Sequence, residues 1–195
     1  MGVPGKSQKL LRAAKVLPDK QQKHWFVMRD LKRSNAICPA YRQLEALRIE
    51  VFTPFTWQLV ERQGRMTRVQ VPFIRDLLFV HETRQVLDAI VRKTPTLQYR
   101  YLKGQGYCNP MIVPTDEMER FVYAVQVSDS CCYYHPDEIP LSMCQRMVRI
   151  IGGLLNGYEG YLISVEGSGK KRLLIQLQGL LSVGVEVCPE FIQVL

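Results

Sequence analysis

Val148-Arg149-Ile150-Ile151-Gly152-Gly153-Leu154-Leu155-Asn156-Gly157-Tyr158-Glu159-Gly160-Tyr161-Leu162 is the stretch on which the fold turns. A β-branched run leads into paired glycines, and a Gly-x-x-Gly spacing (Gly157, Gly160) precedes the next apolar run. Gly153, Gly157 and Gly160 are expected where a tight turn needs positive φ and has no room for a Cβ. Around this stretch, Met147 to Ile151, Tyr161 to Glu166, Lys171 to Leu177, Val183 to Val187 and Ile192 to Leu195 read as short strands. Gly167-Ser168-Gly169-Lys170 fits a hairpin loop between two of them. Strands this short and this close predict a small closed barrel over residues 143–195, since closure removes the edges that an open sheet would expose.

Upstream the periodicity changes. Trp25-Phe26-Val27-Met28 has the composition of a buried strand. Ile37, Tyr41, Leu44 and Leu47 then recur at helical steps, with Ser34 or Asn35 placed to cap and Pro39 tolerable in the first turn. Glu50 to Trp57, the basic hairpin Glu61 to Met66, Val69 to Phe73 and Leu77 to Val80 read as strands and their turn. Thr83 is positioned to cap a helix that turns Val86, Leu87, Ile90 and Val91 inward and ends at Lys93-Thr94-Pro95. Leu97 to Leu102 alternates as a strand. Pro114-Thr115-Asp116-Glu117 opens a third helix, with Met118, Phe121, Val122 and Val125 on one face. Strands interleaved with helices predict an α+β domain over residues 24–127, an antiparallel sheet covered by helices. Residues 128–142 hold Pro136, Pro140 and several Ser, Asp and Glu without periodicity, and are expected to be a linker.

The net charge of +8 is unevenly placed: residues 1–23 hold six Lys or Arg against one Asp, whereas residues 24–142 hold fifteen against thirteen. Residues 1–23 are therefore expected to be a basic, flexible tail. Such a balance favours an anionic partner. Short apolar patches between lysines at the start, and no run approaching a bilayer's width, predict neither a signal peptide nor a membrane span. Six cysteines without a CxxC pair, and His24, His81 and His135 far apart, argue against zinc and for free thiols in a reducing cytoplasm. There is no P-loop, no G-x-G-x-x-G opening a helix, no nucleophile elbow and no HExxH. Cys108 or Cys132 with His135 lacks a third orienting group, so no enzyme and no cofactor are expected.

The stretch 148–162 resembles a KOW motif, which ribosomal proteins also carry. Taken with Trp25-Phe26-Val27, the following helix, Pro54-Phe55, and Val71-Pro72 shortly before Leu78-Phe79-Val80, the pattern of residues 24–195 resembles NusG-type transcription elongation and antitermination factors. Arg172 to Leu177 and Leu180 to Val183 further resemble the specialised UpxY and RfaH paralogues, which act on particular operons such as polysaccharide clusters. Where many relatives have Phe-Pro-Gly-Tyr, this chain has Ile74-Arg75-Asp76-Leu77, exchanging aromatic area for aliphatic.

The resemblance implies a monomeric binding protein whose apolar pocket holds the clamp helices of the RNA polymerase largest subunit, here Phe55, Trp57, Ile74, Leu77 and Phe79. The plainer reading is that each is core, with Ile74 the most exposed for its charged neighbours Arg75 and Asp76. It also implies contact of Lys32, Arg33 and Arg42 with the non-template DNA strand. The hairpin arginines Arg62, Arg65 and Arg68 are a second candidate for nucleic acid or polymerase. Lys170, Lys171 and Arg172 are an RNA-contact candidate, for nascent RNA, and each of these clusters competes with ordinary solvated charge. The barrel's expected partner is nascent RNA, a ribosomal protein or the termination factor Rho. The alternative is a KOW-type RNA-binding or ribosome-associated protein that does not act on polymerase.

Overall fold

The computed structural model describes residues 21–32, 38–102, 109–128, 130–139, 143–144, 146–164, 170–177 and 179–195. The basic tail through residue 20, Arg33, the expected caps Ser34 and Asn35, Ile37, Cys108 and the 165–169 loop lie outside these residues.

The first sheet is built on β1 (Lys23–Asp30) and β5 (Leu77–Thr83), paired antiparallel from Lys23↔Thr83 to Arg29↔Leu77. β2 (Glu50–Phe52) flanks β5, and β6 (Leu97–Tyr99) and β7 (Ile112–Val113) both pair with β1, all antiparallel. In β1 and β5 the alternation of side chains feeds two separate cores. Phe26, Met28, Leu78 and Val80 pack with Ala40 and Leu44 of α1 (Ala40–Ala46) and Leu87 of α2 (Arg84–Lys93). Trp25, Val27, Leu77 and Phe79 face α3 (Thr115–Val127) through Met118, Phe121 and Ala124. Strands covered on both faces explain why β1 and β5 read as continuous apolar runs rather than alternating ones.

The helices largely follow their patterns. Thr83 accepts the Val86 N–H and so caps α2, and Leu87 is buried with Ile90 and Val91 packed beside it. Val86, expected inward, is exposed because it falls on the outer side of the first turn. On α1 the helix stops at Ala46, and Arg48 adopts φ 59, which carries Leu47 out to solvent. The first N–H of α1 is held from outside the helix: Asp30, the last residue of β1, accepts from Ala40 N–H at 2.6 Å and from Lys32 N–H at 3.0 Å.

The second sheet has six antiparallel strands in the order β13-β9-β10-β11-β12-β8. These are β8 (Cys131–Tyr134), β9 (Arg146–Ile150), β10 (Glu159–Ser164), β11 (Lys171–Leu177), β12 (Leu181–Glu186) and β13 (Ile192–Val194). β8 falls inside the segment expected to be a linker; four residues are too few to show alternation, and the ladder to β12, from Cys131↔Val185 to Ser182↔Tyr134, is what makes them a strand. Among the described residues β13 and β8 end the sheet without pairing to each other, so the sheet has two ends where closure was expected. Val148, Ile150, Leu173, Leu177, Val183 and Val185 of this sheet join the core that contains α3, Val27 and Phe79. The second half thus packs on the first through α3, sharing one apolar core with it.

Between the sheets stands a ribbon of its own, β3 (Phe55–Arg62) and β4 (Arg65–Pro72), paired only with each other among the described residues. Gln63 and Gly64 turn it with φ of 52° and 74°, the positive pair that matches strand twist in a two-residue hairpin. At its base, Phe73 N–H donates to the Pro54 carbonyl at 2.8 Å.

Candidate protein and nucleic-acid surfaces

The five residues proposed above for a protein contact fall into three groups. Leu77 and Phe79 are core residues, 2% and 0% exposed, because β5 lies between β1 and β2 with both faces covered; as surface contacts they are corrected. Phe55 and Ile74 are half-buried, Phe55 edge-on to Tyr41 at 5.4 Å and Ile74 against the α3 core. Trp57 is 52% exposed and sits on the ribbon.

Phe55 and Trp57 line a groove of about 430 Å³ that opens between the ribbon and β8, with Phe52, Val125 and Tyr133 on its other side. Beside it Phe73 packs on Tyr133 and His135, at 5.6 and 4.7 Å between ring centres. Tyr133 belongs to the segment read as a connection, so its place in an aromatic groove was not readable from its neighbours in sequence.

On the other side of the ribbon's base lies a second cleft, of about 180 Å³. Lys32, Arg42 and Arg75 line it, over Tyr41 and Phe55. Its one carboxylate, Asp30, already accepts two backbone N–H groups, while Lys32 Nζ donates to the Cys38 carbonyl at 2.9 Å. Arg42 lies 5.9 Å from the Tyr41 ring centre. The cleft therefore has a cationic rim and an aromatic floor. Of the cations expected here, Lys32 and Arg42 come together, and Arg75 joins them from the turn before β5, where sequence showed only a departure from an aromatic pattern. Thr53, Phe55 and Gln70 line both clefts, which places the two back to back.

Next to Arg75, Asp76 receives Arg29 Nε at 2.8 Å and Arg100 at 3.3 Å. Burial alone would raise its carboxyl, but the Arg29 hydrogen bond and the charges of Arg100 and Arg29 outweigh burial and hold it below the usual carboxylate range. This cluster fastens the turn to β1, whose Asp30 N–H also donates to the Asp76 carbonyl at 3.1 Å.

The remaining basic candidates separate. Arg62 and Arg65 face each other across the ribbon's turn, both exposed. Lys170 pairs with Glu186 at 2.9 Å. Lys171 is exposed, while Arg172, its neighbour on β11, is half-buried near Tyr134 and Cys132. Alternation along β11 thus divides the Lys170-Lys171-Arg172 cluster between two faces. Cys131, Cys132 and the other described cysteines are free, and burial followed by the neighbouring Cys132 pushes the Cys131 thiol up, away from nucleophilic reactivity.

In the glycine stretch Gly153 and Gly157 have φ of 64° and 81°, as the turn requires. Gly160 is different: it lies in β10, where a Cβ would collide with the Leu174 carbonyl oxygen of β11, so it serves strand approach rather than the turn. Gly152, which the spacing did not single out, lies under Phe191, whose ring would stand 2.9 Å from a Cβ there.

No family model matches this chain and no curated protein does. Among solved structures the chain is similar to the NusG of Thermotoga maritima, in a structure described as showing domain interaction, over 90% of this chain and 98% of that one, at 16% identity and a TM-score of 0.45.

Proposed function

We propose that this chain is a NusG-type transcription elongation and antitermination factor, a binding protein without catalytic activity. The observation that carries this reading is the pair of clefts back to back at the base of the ribbon, one aromatic and one cationic. The aromatic groove, lined by Phe55 and Trp57, takes the clamp helices of the polymerase largest subunit, with Ile74, half-buried against the α3 core, as a further apolar contact, and Leu77 and Phe79 support it from the core. An amphipathic helix laid in an apolar groove is the recognition mode this requires. The cationic cleft of Lys32, Arg42 and Arg75 then meets the non-template strand, Arg33 belonging to the same sequence cluster.

Binding the active polymerase more tightly than the paused one is sufficient for antitermination, since a ligand shifts an equilibrium by its differential affinity. Phosphate contacts at the cleft supply salt-dependent affinity, and choice of operon, such as a polysaccharide cluster, needs base contacts in addition. The second sheet acts as the KOW module, whose partner is nascent RNA, a ribosomal protein or Rho. The factor works in the cytoplasm as a monomer.

The test is copurification of polymerase with the intact chain and with the Phe55→Asp, Ile74→Asp double variant, with circular dichroism to verify folding. Polymerase subunits retained by the parent and lost by the folded variant support the reading. Ribosomal particles recovered without polymerase sink it and favour a KOW-type ribosome-associated protein.

A further inference from the structure

The five Lys and Arg residues of the second half divide by what answers their charge. Arg149 is held by Glu159 at 2.6 Å and Lys170 by Glu186 at 2.9 Å, while Arg172 turns to Tyr134 and Cys132. Arg146 and Lys171 are exposed and have no carboxylate partner among the described residues. Both line one groove of about 480 Å³. Its floor is Val148 and Leu162, 0% and 6% exposed, and its sides are Pro189, Ile192 and Val194. None of residues 151–158 of the glycine turn lines it, and neither does Glu190, which follows Pro189.

The strand register explains this make-up. Arg146 stands opposite Leu162, Leu162 opposite Leu173, and Leu173 opposite Val185. Val148 and Lys171 each lie two residues along their strand from a member of that row, so all share the face that carries the core. α3 packs on this face at β11 and β12. Towards β9 and β13 the same apolar face continues past the helix, edged by two unanswered cations.

An occupant must therefore bring apolar area for the floor and at least two negative charges for the rim. A nucleic-acid strand meets the cations and not the floor, since no aromatic ring or side-chain amide lines the groove to receive a base. A single-chain amphiphile covers the floor and brings one carboxylate to two cations. The chain's own first 20 residues, rich in lysine, are repelled. A peptide with aliphatic side chains between acidic ones meets both conditions. We infer that this groove of the second sheet docks an acidic, aliphatic segment of a partner protein, its side chains on Val148 and Leu162 and its carboxylates on Arg146 and Lys171. This rests on the reading of the second sheet as a binding module, narrows its partner to a protein, and does not depend on the first half holding polymerase.

The full chain is titrated with four fluorescein-labelled probes, the peptides EDLVED, EDSSED and KKLVKK and the oligonucleotide (rU)12, reading label anisotropy. EDLVED is expected to bind, EDSSED at least about tenfold more weakly for its lost aliphatic burial, and KKLVKK not at all. Arg146→Ser with Lys171→Ser weakens EDLVED about 2- to 30-fold, the range for two exposed ion pairs, and flattens its salt dependence. Val194→Ser, at a side chain already 55% exposed, weakens EDLVED and leaves the salt dependence as it was. Circular dichroism verifies that both variants are folded.

EDSSED bound as tightly as EDLVED, EDLVED binding indifferent to both variants, or no EDLVED binding at millimolar peptide overturns the inference. Binding of (rU)12 that the double variant abolishes, with EDLVED unbound, overturns it in favour of an RNA contact. Polymerase copurified by a parent chain that ignores EDLVED leaves the elongation reading standing and the groove without its peptide. A parent chain that binds EDLVED as expected and brings down no polymerase keeps the groove and loses the elongation reading.

Discussion

β5 and the β3–β4 ribbon are both runs of extended chain that carry large apolar side chains, and the protein uses them oppositely. Leu77, Leu78, Phe79 and Val80 are all at or below 2% exposure, packed alternately on two helical layers. Along the ribbon Trp57, Leu59 and Met66 remain open, and among the described residues its one ladder is between its own two strands. The difference lies in what stands on either side. β5 has β1 and β2 as neighbours, so its apolar area is spent on holding the fold together, while the ribbon's area is left for something else.

The comparison can be tested by substitution. Phe79→Ala, in the centre of β5, is expected to destabilise by about 3–5 kcal/mol in chemical denaturation. A loss below 1 kcal/mol would mean that this strand does not anchor the core.

Asp76→Ala, between β5 and the ribbon, is expected to cost about 1–2 kcal/mol, because it strands Arg29 and Arg100 at a partly exposed site. The sign of its pH dependence follows from the lowered folded-state pKa: Asp76 contributes its stability above the ordinary carboxylate value of 3.8 and loses it as pH falls through the folded value. Denaturant midpoints between pH 7 and pH 3 should accordingly fall less steeply in the variant.

Gly64→Ala, at the ribbon's turn, should cost about 1 kcal/mol purely through its φ of 74°, since a Cβ there meets nothing within 4 Å. Amide exchange should then quicken in the ribbon and not in β5. Trp57→Ala should shift stability by less than about 0.5 kcal/mol. A larger loss would show that the indole supports the fold instead of facing a partner.

What could be read from sequence follows the same division. Trp25 to Met28 and Leu77 to Val80 announced themselves as buried strands because both faces are covered, and Thr83 announced α2 because an N-cap is a local device. β8 did not, since its strand character comes from pairing with β12 some fifty residues on. For the surfaces, sequence found the residue types and missed their depth. Phe79 has the composition of a contact residue and the position of a core residue, and only the sheet order decides between them. Lys32 and Arg42 stood out as basic residues around one helix, whereas Arg75 reaches their cleft through a turn whose path depends on Asp76 and its two arginines.

Asp30 makes α1 depend on β1. α1 has seven residues, well short of the roughly 12–15 at which a helix persists unaided, and its opening amide is satisfied by a carboxylate on the preceding strand. The helix therefore draws its stability from β1, and the aromatic floor and cationic rim that α1 contributes through Tyr41 and Arg42 are only as secure as the sheet edge that holds its first turn.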